Sequence, residues 1–193
     1  RGGREGEGGG GGEGGEEEDD EDEEESPGLL GHGEGVTRLN TPTRLPSTLG
    51  DERAVVVSAG SDISLAITAD GSVWSWGGGY GGQLGHGDQQ DQLEPKKIEA
   101  LAGQRVVAVS AGQFHSIAIT VDGAVCSWGY GYFGRLGHGD EQRQLLPKKI
   151  EALAGQRVVA VSAGREHSIA RTADCAVFTW GEGGHGCLGH GDD

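Results

Sequence analysis

One block of text recurs along this chain at a fixed step, and the step limits what the chain can fold into. Trp76, Trp128 and Trp180 stand 52 residues apart. Ala59-Gly60, Ala111-Gly112 and Ala163-Gly164 keep the same interval, as do the Leu-Gly-His-Gly-Asp boxes that begin at Leu84, Leu136 and Leu188. Pro95 to Gly112 returns letter for letter as Pro147 to Gly164. A unit of this size built from short strands cannot bury its own faces. It needs neighbours of the same kind, which points to a radial or stacked repeat.

Within the middle unit four strands are predicted: Val106 to Ala111, Ser116 to Thr120, Ala124 to Trp128, and a short one around Lys148 to Ile150. The first is almost continuously apolar or small, as a strand covered on both faces should be. Asp122-Gly123 between the second and third strands predicts a two-residue type I′ hairpin, with positive φ at both positions. Pro147 and the lysine pairs Lys96-Lys97 and Lys148-Lys149 mark the fourth as an outer edge strand. There a missing N–H is harmless and charge discourages edge pairing. The fold class is therefore all-β: blades of four antiparallel strands in a partial propeller. The units run over 54–104, 105–156 and a truncated 157–193, after a degenerate partial repeat at 29–53.

Ahead of the repeats, residues 1–28 form a Gly/Glu-rich stretch. Residues 1–25 hold 13 acidic and 2 basic residues and no apolar one, against 18 acidic and 13 basic in the rest. Such a segment cannot offset its ordering entropy by burial, so a disordered acidic tail is predicted, a solubilising linker or an arm that attracts a basic partner. Direct nucleic-acid binding by this segment is disfavoured, because the tail repels phosphates. Cys126, Cys175 and Cys187 fall at three different places in the repeat, which fits neither a disulfide framework nor a zinc site. It suits a reducing setting, cytoplasmic or nuclear. No apolar run approaches the ~20 residues of a membrane span. The chain has no Met and stops within a repeat, so a longer parent protein is expected.

The order Gly-x-x-His-Ser, Asp-Gly-x-Val-x-x-Trp-Gly, Gly-x-Leu-Gly-His-Gly-Asp and then Pro resembles the regulator of chromosome condensation repeat. The resemblance runs from Leu29 to Asp193 and implies blades of a seven-bladed β-propeller. Some positions depart from it. Gly79, Gly131 and Gly183 stand where the family usually has Asn, and Ile63 replaces the histidine of His115 and His167. Cys175 replaces the turn glycine of Gly71 and Gly123, and Arg171 replaces Ile67 and Ile119. A looser third unit is expected, or a carboxylate partner for Arg171.

Several motifs hint at chemistry without supplying its context. Gly77 to Gly82, Gly129 to Gly134 and Gly181 to Gly186 each match Gly-x-Gly-x-x-Gly. A dinucleotide site also needs a helix whose N-terminus receives the pyrophosphate, and none is predicted after these loops. The Gly-His-Gly histidines His32, His86, His138 and His190 have no second ligand at metal spacing; each is expected to bond to the next blade. His115 and His167 are expected to satisfy backbone groups between strands. The tryptophans are read as blade-to-blade packing. The family's ultraviolet-B photoreceptor branch would imply a Trp where Ser61, Gln113 and Arg165 stand here, so photoreception is not expected. No nucleophile with a base and no carboxylate pair is found; neither a catalytic residue, a metal nor a cofactor is predicted.

Specificity is placed by internal comparison. Between units the strands hardly change, while two loop positions do: Ser61-Asp62, Gln113-Phe114 and Arg165-Glu166 after the first strand, and Tyr80-Gly81, Tyr132-Phe133 and Gly184-His185 after the third. In an antiparallel blade both connections leave on one face, and the Asp-Gly turns on the other. Candidate partner-binding residues are Asp62, Tyr80, Gln113, Phe114, Tyr132, Phe133, Arg165, Glu166 and His185, since exposed aromatics and arginine anchor interfaces. The partner expected is a protein. Family resemblance allows a Ran-type small GTPase undergoing nucleotide exchange, or a ubiquitination substrate presented to a large ligase.

Overall fold

The structure, a computed structural model, describes residues 29–45, 49 and 52–191. The acidic segment 1–28, for which disorder is predicted, lies outside the described residues. Three antiparallel sheets follow one another. The first holds β1 (Ala54–Ala59), β2 (Ile63–Thr68), β3 (Val73–Gly77) and β4 (Gln92–Lys97). The second holds β5 (Val106–Ala111), β6 (His115–Thr120), β7 (Val125–Gly129) and β8 (Gln144–Lys149). The third holds β9 (Val158–Ala163), β10 (His167–Thr172) and β11 (Val177–Gly181). Strands pair in chain order within each sheet, as in the blades of a propeller.

The first strands of neighbouring sheets are tied side by side. The Ala111 N–H donates to Ser58 Oγ at 3.1 Å, and the Ala163 N–H to Ser110 Oγ at 2.9 Å. These ties make β1, β5 and β9 the inner strands, and β4 and β8 the outer edges. The core lies in the seams between sheets. Ile63, Leu65, Ile67 and Val73 of the first sheet pack with Val109, Ala118, Cys126 and Trp128 of the second. Ile117, Ile119 and Val125 of the second pack with Val158, Ala170, Phe178 and Trp180 of the third. Each sheet thus gives alternate residues to two different seams, which is why β6 is buried along its whole length.

The tryptophans close the seams. Trp128 Nε1 donates to Gln83 O and Trp180 Nε1 to Arg135 O, both at 2.8 Å. Those carbonyls also accept from Ser116 Oγ (2.8 Å) and Ser168 Oγ (2.9 Å). Each indole lies against the glycine of the preceding Leu-Gly-His box; a Cβ on Gly85 would stand 2.7 Å from Trp128 Nε1. Gly31 meets Trp76 in the same way, at 2.7 Å. Gly33 N–H reaches Leu93 O just as Gly87 N–H reaches Leu145 O, both at 3.0 Å. The degenerate box at Leu30 therefore seats on the first sheet like its regular counterparts.

Two sequence expectations need correction. The Asp-Gly loops are not type I′ turns. The Gly71 N–H bonds to Thr68 O at 2.8 Å and the Thr68 N–H to Ser72 O at 3.0 Å. Positive φ falls on Gly71 (+87°) and Gly123 (+85°) and not on the aspartates. This is a three-residue loop: a type I turn completed by a left-handed residue that forms a bulge. Asp70 instead accepts from Thr68 Oγ1, Ser72 N–H and Ser72 Oγ, which holds its carboxyl well below the usual range. The outer strand also begins earlier than Lys148. β8 pairs Gly129 with Gln144, and its ladder is interrupted between Ser127 and Gly129, so Pro147 is accommodated inside the strand beside that irregularity.

Candidate functional site

The loops after each first strand and each third strand leave on one face, and the structure packs them across the seams. Tyr80 meets Phe114 edge-on, with ring centroids 5.2 Å apart at 66°. Tyr132 lies 4.2 Å from Phe133 and 6.1 Å from Tyr130. Arg165 Nε donates to Gln113 Oε1 at 2.9 Å. Glu166 stands 3.8 Å from the buried guanidinium of Arg135, the one ion pair among the described residues. Seven of the nine predicted positions, Tyr80, Gln113, Phe114, Tyr132, Phe133, Arg165 and Glu166, thus form one continuous surface. Tyr80, Tyr132 and Phe133 stay 53%, 49% and 39% exposed.

Asp62 borders this surface, its charge acting on Tyr80, and His185 lies apart from it. The backbone of Asp62 is structural: its carbonyl accepts the Gly78 N–H at 2.6 Å, and a Cβ on Gly77 would stand 2.3 Å from it. His185 is exposed in a short 3-10 turn of the third unit, away from the aromatic group. Arg171 is exposed too and has no carboxylate within ion-pair distance among the described residues.

Three residues of the surface escaped the sequence comparison: Tyr130, Arg135 and Arg143. Arg135 is 1% exposed. Its Nε donates to Tyr132 O at 2.9 Å, and its guanidinium stacks 5.7 Å from Tyr130 and 5.9 Å from Phe133. Burial lowers its affinity for the proton, and Glu166 opposes that. Arg143 covers Tyr130 at 5.1 Å. A signal existed, because position 130 reads Gly78, Tyr130, Glu182 across the units and position 135 reads Gln83, Arg135, Cys187. Both vary as much as the pairs that were chosen.

The backbone of this surface is strained. Phe133 and His185 adopt φ +59°, a left-handed conformation that is an outlier for a bulky side chain. Gly81 holds the same place in the first unit without positive φ. A phenylalanine kept there at a cost of about 1–2 kcal/mol directs an aromatic ring to solvent.

The repeated histidines stay within their own blades, contrary to expectation. His86 Nε2 lies 3.0 Å from Ser75 Oγ, and that hydroxyl donates to Leu84 O at 2.8 Å. The hydroxyl hydrogen is thereby committed, so His86 is the Nε2–H tautomer and donates. His138 with Ser127 and His190 with Thr179 repeat the arrangement at 3.1 Å. Burial, assisted by Lys96, pushes His86 down to about 4. His115 also departs from expectation. Its Nε2 donates to the side chain of Ser168 in the next unit at 3.0 Å, and burial, then Arg135 and His167, takes it down to about 3. Among the described residues no group of three or more His, Cys, Asp or Glu side chains is placed to hold a metal ion. The Gly-x-Gly-x-x-Gly loops lead into loop and strand, with no α-helix among the described residues to receive a pyrophosphate. Nor is any helix there long and apolar enough to cross a membrane.

Family models for the regulator of chromosome condensation (RCC1) repeat match residues 70–119 and 122–171, and a second model of the repeat matches 54–83, 106–135 and 158–187. The chain belongs to the RCC1 repeat family. It is 44% identical over 168 residues to the human E3 ubiquitin-protein ligase HERC2, matching 86% of this chain but 3% of HERC2. It is 43% identical over 166 residues to the ultraviolet-B receptor UVR8 of Arabidopsis thaliana, 86% of this chain and 37% of the receptor. The chain therefore spans a small part of these relatives. Among solved structures it is similar to Prp20p of Saccharomyces cerevisiae, with a TM-score of 0.65, 25% identity, and coverage of 72% of this chain and 36% of that one. The RCC1-like propeller is an interaction fold, which agrees with a site made of packed loops.

Proposed function

We propose that this chain is a protein-interaction scaffold that binds a protein partner through its loop face. The observation that carries the reading is the aromatic group in which Tyr80 packs on Phe114 across a seam and Tyr132 packs on a left-handed Phe133 in the neighbouring loop. Aromatic anchors set around a buried arginine are the composition of binding hot spots. Asp62, Gln113, Arg165 and Glu166 supply the polar rim, and His185 extends it over the third unit.

Relatives favour two kinds of partner. HERC2 is an E3 ubiquitin-protein ligase, which supports a substrate-recognition propeller whose partner is a ubiquitination substrate. Prp20p is described with its binding to Gsp1p and histones, which supports the alternative, nucleotide exchange on a Ran-type GTPase. The first is preferred, because loops 78–91 and 130–143 have the same length and carry no insertion to act as a wedge at a bound nucleotide. Either role is exercised inside the cell, in cytoplasm or nucleus. Capture of partners with Phe114, Tyr132 and Arg165 together changed to alanine tests the surface: recovery should fall by about tenfold or more, and unchanged recovery would exclude it. Nucleotide-release kinetics with a panel of small GTPases separate the two partner classes.

A further inference from the structure

We propose that the loop face over the seam between the first two units docks an extended lysine- and arginine-rich segment of a protein partner. The inference rests on the loop face being the partner surface, and adds the chemistry of what lands there.

Charge is the first ground. The loops of the first unit, 60–62 and 78–91, contain Asp62, Asp88 and Asp91 and neither lysine nor arginine. The second ground is an internal comparison. In the second unit the aromatic loop is covered by the chain's own cations, with Arg143 5.1 Å and Arg135 5.7 Å from the Tyr130 ring. One unit back, Asp91 replaces Arg143 and Gln83 replaces Arg135. Tyr80 is the most exposed ring of the surface and no guanidinium of the described residues stacks on it. The covered ring, Tyr130, has Gly78 as its counterpart, so the first unit carries Asp91 in place of Arg143 beside a different and uncovered ring, Tyr80; a partner's ammonium or guanidinium can stack on that ring and pair with the carboxylates.

Gln83 is the third ground. It is fully buried beneath this spot, and its Nε2 has no hydrogen-bond partner among the described residues. Its Oε1 is occupied by the Gly81 N–H at 2.8 Å. A Cβ on Gly78 would lie 3.8 Å from Gln83 Nε2 and 3.3 Å from Asp62 Cβ, so the free donor sits beside Asp62. A main-chain carbonyl of an extended segment suits that donor. The fourth ground is the charge that precedes the first box in the sequence. Leu30 occupies the place of Leu84 and Leu136, and its box seats on Trp76. The acidic run 16–25 ends five residues before Leu30 in the sequence. A run of that charge attracts a basic segment to the chain and is screened by salt, while the ring and Asp62 with Asp91 fix where it lands.

The test is fluorescence anisotropy of the full chain with three short labelled peptides: one of Lys/Arg with Gly/Ser, one of Asp/Glu with Gly/Ser, and oligoproline. The basic peptide should bind, and Tyr80→Ala should weaken it by about fivefold or more. The pair Asp62→Asn with Asp91→Asn should do the same; asparagine keeps the acceptor that Asp91 offers the Gly79 N–H at 2.7 Å. Thermal melting of each variant confirms that it is folded. Changing Glu16–Glu25 to Gln should flatten the salt dependence and leave the rim variants' effect in place. Binding that ignores the rim and vanishes with the neutralised run is polyelectrolyte attraction only and overturns the proposal. So does binding of the acidic or oligoproline peptide in place of the basic one, or no binding of the basic peptide. If the Phe114, Tyr132 and Arg165 variant loses its captured partner while the basic peptide fails to bind, the surface stands and its proposed chemistry falls. If capture is also unaffected, the surface itself is wrong.

Discussion

Cys175 shows how closely single positions are tuned. It holds φ +71° where Gly71 and Gly123 hold +87° and +85°. A side chain in that region costs about 1–2 kcal/mol, partly offset by the greater unfolded-state freedom of glycine. Cys175→Gly should therefore raise stability by about 0.5–1 kcal/mol, read as a shift in denaturant midpoint at unchanged slope. The reverse change, Gly123→Ala, meets both the backbone penalty and Arg157 Cγ at 3.0 Å, and should cost about 1–2 kcal/mol. Phe133 separates stability from function. Phe133→Gly relieves φ +59° and should stabilise the fold by up to about 1 kcal/mol. It also removes the ring that packs on Tyr132 at 4.2 Å, so partner capture should fall while melting temperature rises. A fall in both would mean that the ring supports the fold and is not held out for binding.

At the scale of the element, the seam latch is the unit of cohesion. Trp128 is fully buried and shares the Gln83 carbonyl with Ser116. Trp128→Phe keeps most of the apolar contact and leaves that carbonyl bonded to Ser116, so it should cost about 1–2 kcal/mol. Trp128→Ala opens a cavity and should cost about 3–5 kcal/mol. Trp180 is only half-buried, and its alanine variant should cost clearly less; equal losses in urea titrations would contradict the seam account. Much of this was legible from sequence. A 52-residue step and short apolar runs placed β5, β6 and β7 to within a residue, because seam burial is written directly into side-chain type; β5, however, read as covered on both faces, leaves Val107 exposed. The turn and the histidines were not legible in the same way. An Asp-Gly pair fits both a two-residue and a three-residue loop, and the Thr68 and Ser72 bonds to Asp70 decide for the longer one. His86 finds Ser75 because the loop folds back onto its own strand, a path that no spacing rule encodes. At the site, seven of the nine chosen loop positions pack near one another; the variation at Arg135 was readable across the units, but its burial beneath them was not.

For the whole molecule the consequence is a fold that weakens in acid before its carboxylates titrate. His115 is fully buried and held neutral, its proton affinity taken down to about 3 by burial and by Arg135 and His167. An unfolded chain protonates the same ring near pH 6.5. Above that value both states are neutral and the full stability is present. As pH falls below it the unfolded state binds a proton that the folded state refuses, and stability declines until the folded ring also titrates. The slope from His115 alone is up to about 1.4 kcal/mol per pH unit. His86, down to about 4, acts in the same direction over a narrower window, and Asp70, Asp122 and Asp174, all lowered by their hydroxyl bonds, extend the loss below the usual carboxylate range. Melting temperature should thus drop steadily from pH 7 to pH 4 (about that interval, set by the histidine window). His115→Ile isolates the main contributor. Isoleucine already fills this place in the first unit as Ile63, and Ser168 keeps its bond to Arg135 O. The variant should flatten the profile across that interval, and a profile as steep as the parent's would assign the acid sensitivity to groups other than the seam histidine.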